Sequence, residues 1–87
     1  MLDEKFLDAS GMEPPLPFEQ ALALLAALRP GEYLRMAHRI IPYPLFEYCN
    51  ERKLEYRVQP GEKAKYDILI WYKQDAGSIS HLFRGEP

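Results

Sequence analysis

The chain has 87 residues, a formal net charge of −2 at pH 7 and 28% charged residues, which is typical of one small soluble domain. The basic residues are scattered, which argues against a nucleic-acid partner and against binding to an anionic membrane. Cys49 is the only cysteine, so an internal disulfide and a multi-cysteine metal site are excluded. The polar start and the short apolar runs favour a cytoplasmic protein without a signal peptide or a membrane span.

The first half of the chain predicts two strands joined by a helix. A short strand from Lys5 to Ala9 leads through a proline cluster into a helix from about Pro17 to Leu28. The apolar stripe of this helix has three- and four-residue spacing and consists of Phe18, Ala21, Leu22, Leu25 and Leu28. Glu32 to His38 alternates as a second strand. A connection that contains a whole helix favours parallel pairing of the two strands.

The second half predicts a shorter helix from about Pro44 to Lys53 and a strand from Leu54 to Val58. Gln59 to Lys63 has the composition of a turn, and Lys65 to Tyr72 alternates as a fourth strand. The predicted fold class is α+β, a two-layer α/β sandwich with the order β-α-β-α-β-β. Two helices are expected to cover one face of a mixed four-stranded sheet.

The fourth strand carries apolar side chains on both of its faces, but the two predicted helices cover only one face of the sheet. There Trp71, Leu69 and Tyr33 are expected to form an exposed apolar patch. Such a patch is typical of a surface that binds a protein partner or a second copy of the chain.

In the alternative, the C-terminal part of the same chain covers that face. Residues 1–73 are predicted to form the single domain, and residues 74–87 a C-terminal tail. Ile79, Leu82 and Phe83 give the tail apolar side chains with which it could fold over the sheet.

The segment from Asp8 to Pro17 resembles the strand-to-helix junction of the TusA/SirA sulfur-carrier superfamily. In that superfamily a Cys-Pro-x-Pro motif places a nucleophilic cysteine just ahead of the first helix. Pro15-Leu16-Pro17 matches the Pro-x-Pro part, whereas Pro14 stands where the cysteine would be. The resemblance spans roughly Leu7 to Tyr72 and implies the TusA-like two-layer fold, also seen in the C-terminal domain of bacterial translation initiation factor three. It also implies that persulfide transfer is lost at Pro14, which has no thiol.

A cysteine-less branch, the domain-of-unknown-function family 2249, is a closer likeness. Its members have a strand similar to Tyr33–Arg39, followed by a Pro-x-Pro-Leu run similar to Pro42–Leu45. The resemblance implies a prokaryotic domain of unknown function. Such domains sometimes accompany hemerythrin-like or nitrogen-oxide-related proteins in bacteria and archaea.

A candidate ligand site lies where the second strand ends, because ligands favour the carboxyl ends of strands in open α/β sheets and helix N-termini favour anions. His38, Arg39, Glu13 and Tyr43 are expected to meet at this edge and to bind a small anionic or polar ligand. Alternatively, His38 caps the apolar face of its strand, and Arg39 and Glu13 form a surface ion pair.

The predicted function is a non-enzymatic binding or accessory module for a protein partner or a small anionic ligand. The alternatives are a small redox- or nitrogen-oxide-linked enzyme that uses His38 and Arg39 for acid–base chemistry, and RNA binding by fold analogy alone. Cys49 is expected to be a buried apolar side chain, and Asp8 with Ser10 to form a turn. No cofactor and no metal site are predicted, because histidine and cysteine do not recur at metal-binding spacing.

Overall fold

The computed structural model describes residues 2–84, so the last three residues of the predicted tail lie outside the described residues. The sheet contains β1 (Asp3–Asp8), β2 (Glu32–His38), β3 (Leu54–Pro60) and β4 (Tyr66–Tyr72). The helices are α1 (Leu16–Ala26), α2 (Tyr43–Asn50) and two short 3-10 helices, Lys73–Ser78 and Ser80–Leu82. The predicted fold class is therefore confirmed. Within residues 2–84, no helix is long and apolar enough to cross a membrane.

The strand order in the sheet is β1-β2-β4-β3. β1 and β2 are parallel, as the helical connection between them predicts. β4 comes last in the chain but lies between β2 and β3, and it is antiparallel to both. The final strand thus becomes an interior one, which explains its near-continuous apolar sequence.

The main core lies between the sheet and the two helices. The inward side chains of the central strands are Leu34, Met36, Ile68 and Ile70, and they pack with Ala21 and Leu25 of α1 and Leu45 and Cys49 of α2. Cys49 is fully buried, as predicted, and burial raises the pKa of its thiol to about 11. The thiol is therefore protonated at neutral pH and unsuited to nucleophilic chemistry.

The opposite face of the sheet is covered, so the predicted exposed patch is wrong and its alternative is confirmed. Tyr33, Leu69 and Trp71 are at most 5% exposed. The fully buried Ile79 packs on them together with Leu82 and Phe83. The physical reason is the hydrophobic effect, since burying a side chain such as Leu69 stabilises the fold by about 1.5–3 kcal/mol.

Polar groups attach the tail to the sheet beside this second core. Gln59 was predicted to begin a turn, but β3 continues to Pro60 and the Gln59 side chain is fully buried. Its amide donates to the Leu82 carbonyl at 3.3 Å and accepts from the Arg84 backbone N–H at 2.9 Å. The buried Asp67 carboxylate binds Arg84 at 2.6 Å and Arg35 at 2.9 Å. These bonds fix where the tail crosses the sheet.

We expect Ile79→Ala to lower the free energy of unfolding by about 2–4 kcal/mol, because it leaves a cavity in the second core. Trp71 is the only tryptophan of the chain, so its fluorescence should shift to longer wavelength as water reaches the indole. Chemical denaturation of Ile79→Ala and of Ile40→Ala provides the comparison. Ile40 is 58% exposed, and its truncation should change stability by less than about 0.5 kcal/mol. Equal effects of the two substitutions would contradict the covered face.

Candidate functional site

Both helices begin with prolines at the end of the sheet where β2 stops. Pro15 precedes α1 and Pro17 is its second residue, while Pro42 precedes α2 and Pro44 is its second residue. Proline suits these positions because its φ is already near the helical value and it has no N–H to leave unpaired. The sequence therefore builds two stiff helix entries that face each other across the end of β2.

A groove with a volume of about 330 Å³ lies between these entries, and we call it the proline groove. Its five prolines are Pro14, Pro15, Pro17, Pro42 and Pro44. The other lining side chains are Phe18, Met36, His38, Ile40 and Leu45. His38 is the one polar side chain of this lining, so the groove is apolar with a single polar group.

His38 is 5% exposed and occupies a fixed position in the groove. Its Nδ1 accepts a hydrogen bond from the Arg39 backbone N–H at 3.0 Å, so the neutral ring carries its proton on Nε2. Burial, and secondarily the charge of Arg39, lowers the pKa of His38 below its usual value of 6.5. Within residues 2–84, Nε2 has no hydrogen-bond partner. His38 therefore has one neutral N–H donor that no group among residues 2–84 accepts.

The other three predicted site residues are not assembled with His38. Arg39 and Glu13 are exposed, and neither lines the groove. They form no ion pair with each other. Tyr43 is 67% exposed, and its ring contacts Phe46 edge-on with centroids 6.0 Å apart. Among the described residues, the lining offers no cationic side chain to an anion.

The helix starts are also poor anion sites, although helix N-termini usually favour anions. Two of the first three residues in each helix carry an N–H, because Pro17 and Pro44 have none. Three of these four N–H groups already donate to preceding carbonyls at 2.9–3.0 Å, and they belong to Leu16, Tyr43 and Leu45. The prolines and these tight turns thus leave little for a negative charge to bind. The anionic-ligand hypothesis stays a prediction, without support from this edge.

The exposed apolar rim of the groove escaped sequence reasoning. Five large apolar side chains are well exposed among residues 2–84, and they are Phe6, Leu16, Phe18, Ile40 and Tyr43. Phe18 and Ile40 line the groove, while Leu16 and Tyr43 are chain neighbours of its prolines. Phe18 was placed in the buried stripe of α1. The rest of the predicted stripe is confirmed, since Ala21, Leu25 and Leu28 are buried and Leu22 packs against them. At the first turn, Pro17 is buried in place of Phe18.

A larger, charged groove with a volume of about 670 Å³ lies on the face that carries the tail. Most of its charges are paired with each other, since Arg35 lies 2.7 Å from Glu4 and Arg84 lies 2.6 Å from Glu62. The Lys63 ammonium lies over the Phe6 ring, 5.7 Å from its centroid. His81 also lines this groove. The described residues contain no group of three or more histidine, cysteine, aspartate or glutamate side chains that could hold a metal ion. Such mutual pairing is typical of a structural network.

Asp8 and Ser10 form the predicted turn ahead of the proline segment. The Asp8 carboxylate accepts the Ser10 backbone N–H at 3.1 Å and its hydroxyl at 2.6 Å. These bonds lower the pKa of Asp8 below its usual value. The pair therefore closes the end of β1 rather than forming a catalytic pair.

The chain matches the model of a protein family. The model of the family described as "Uncharacterized conserved protein (DUF2249)" matches residues 6–72. The chain belongs to this family. The match spans β1 to β4 and includes every residue that lines the proline groove. No curated protein and no solved structure matches the chain.

We expect His38 to titrate below pH 6.5 and to carry its proton on Nε2 at neutral pH, which heteronuclear NMR of the imidazole nitrogens measures directly. The folded state then binds fewer protons than the unfolded state. The free energy of unfolding should therefore fall as the pH drops from above 6.5 through the folded-state pKa. This fall should be absent from His38→Gln, which has no group to titrate, and present in the control His81→Gln. A proton on Nδ1 at neutral pH would contradict the assignment.

Proposed function

We propose that this protein is a non-enzymatic binding module that docks a partner protein on the proline groove and its apolar rim. The observation that carries the proposal is the clustering of exposed apolar side chains. Of the five that are well exposed among residues 2–84, Phe18 and Ile40 line this one groove, and Leu16 and Tyr43 are chain neighbours of its prolines. Scattered exposed apolar residues are ordinary, whereas a contiguous group of them marks an interaction surface.

Several features favour binding over catalysis at this groove. General acid–base catalysis by a histidine needs a second polar group within reach of the substrate. The described lining contains no such group beside His38. The Arg39 side chain, which the enzymatic alternative requires, does not line the groove.

A protein is favoured over a free small molecule because the apolar surface extends beyond the groove. The groove volume of about 330 Å³ is at the low end for a small-molecule site. Tyr43 and Leu16 stand outside it with 67% and 41% of their surface exposed. A partner that covers the groove and these side chains together removes more apolar surface from water than a ligand inside the groove alone.

We also infer a distant kinship with the TusA-like sulfur carriers. It is supported by Pro14, which stands at the position of the carrier cysteine and lines the groove, and by Pro15-Leu16-Pro17 at the start of α1. On this inference the chain keeps the docking edge of a carrier and lacks the sulfur atom that the carrier presents there.

Site-specific photo-crosslinking tests the docking proposal in cells that naturally produce the protein. A benzophenone amino acid replaces Tyr43, which is exposed and adjoins two prolines of the groove in the chain, or Glu51, which is exposed just after α2. We expect a single crosslinked product of defined mass from position 43 and none from position 51. The product should be lost when Ile40→Asp places a charge on the rim.

The outcome at position 43 decides the proposal. A product with twice the mass of the chain identifies the partner as a second copy, and any other defined mass identifies a different protein. No product, or one that persists in Ile40→Asp, would show that this edge is not a docking surface.

A further inference from the structure

The Nε2–H of His38 is a donor that the described chain leaves without a partner. The side chain is 5% exposed and lines the proline groove, and its other nitrogen is held by the Arg39 backbone N–H at 3.0 Å. Buried polar groups are almost always hydrogen-bonded to protein or to water. An occupant that displaces water from this donor must therefore bring an acceptor or lose a hydrogen bond on binding.

The side chains that line the groove determine which kind of hydrogen-bond acceptor an occupant can bring to His38. Apart from His38 the lining is apolar, and burying a charge among such side chains is costly unless a counter-charge is present. The helix starts add little, since Leu16, Tyr43 and Leu45 already use their backbone N–H groups. The fitting acceptor is therefore uncharged, which excludes carboxylates and phosphates.

The size of the groove limits how much of a partner enters it. Its volume of about 330 Å³ corresponds to roughly eleven water molecules at liquid density. That is room for one large apolar side chain with its peptide group. A docked helix could insert the side chain but not a free carbonyl, because its carbonyls accept hydrogen bonds within the helix. An extended segment fits best, because it presents its backbone carbonyls sideways.

We propose that the proline groove receives one large apolar side chain of a partner, together with an adjoining backbone carbonyl that accepts a hydrogen bond from His38 Nε2. The inference rests on the proposed docking function and adds the chemistry of the docked segment. His38 is then the residue that selects an uncharged carbonyl, and the prolines with Phe18 and Ile40 hold the apolar side chain.

Two probes of the same shape isolate the hydrogen bond. Cyclohexanone carries a carbonyl, and methylenecyclohexane has a carbon–carbon double bond in its place. The dissociation constant of each is measured by NMR titration of the full chain, on the signals of Met36, Ile40 and Leu45. The ratio of the two dissociation constants is compared between the parent protein and its variants. The difference in solvation of the two probes contributes equally to each ratio and therefore cancels.

We expect His38→Leu to shift this ratio about 2- to 10-fold against cyclohexanone, which is the effect of one neutral hydrogen bond. His38→Gln keeps a side-chain N–H donor and should retain part of the preference. His81→Leu, on the opposite face, should leave the ratio unchanged. Cyclohexanecarboxylate should bind more weakly than cyclohexanone to the parent protein.

Three results would overturn the inference. They are an unchanged ratio in His38→Leu, tighter binding of cyclohexanecarboxylate, and no shift of the groove signals with either neutral probe. If the crosslink at position 43 persists alongside any of these results, only the carbonyl assignment fails. If the ratio shifts as expected but position 43 gives no crosslink, the groove binds carbonyl compounds and the docking proposal fails.

Discussion

The structure depends on the burial of β4 on both of its faces. Ile68 and Ile70 face the helices, Leu69 and Trp71 face the other way, and none of them is more than 5% exposed. Two helices cover only one face of a sheet, so a second layer has to come from elsewhere in a chain of 87 residues. The tail provides it through Ile79. With both faces closed, two of the five large apolar side chains that stay well exposed among residues 2–84, Phe18 and Ile40, lie at the end of the sheet where the helices start.

The charged side chains beside the tail determine where the tail lies on the sheet more than they stabilise the fold. Asp67 accepts from both Arg35 and Arg84, and a buried ion pair of this kind gains little over apolar packing of similar volume. Removing both arginines is costly, however, because it leaves the buried Asp67 charge without compensation. The network therefore fixes where the tail crosses the sheet, while Ile79 supplies the hydrophobic stabilisation that keeps it there.

Local sequence patterns predicted the helices and strands. The features that the patterns missed depend on contacts between residues that are distant in the chain. Alternation fixed both ends of β2, and the helical connection predicted its parallel pairing with β1. Gln59 looked like part of a turn because its burial depends on the carbonyl of Leu82 and the N–H of Arg84, distant in the chain. Phe18 is exposed although Ala21, Leu25 and Leu28 of the same stripe are buried, because spacing does not show that Pro17 fills the inward position of the first turn. His38 and the two proline segments line one groove because the order of the strands brings them together, and local patterns do not show this.

The prolines determine the chemistry of the groove in two ways at once. They remove backbone N–H donors from the helix starts, so a place that usually attracts anions becomes apolar. They also restrict the backbone of the walls, which in the proposed docking lowers the entropy lost when the partner binds. In the proposed docking, affinity comes from the shape and the apolar area of the groove, and the one donor selects the group of the partner that enters. Specificity in that proposal rests on His38, whose burial lowers its pKa and favours the neutral ring.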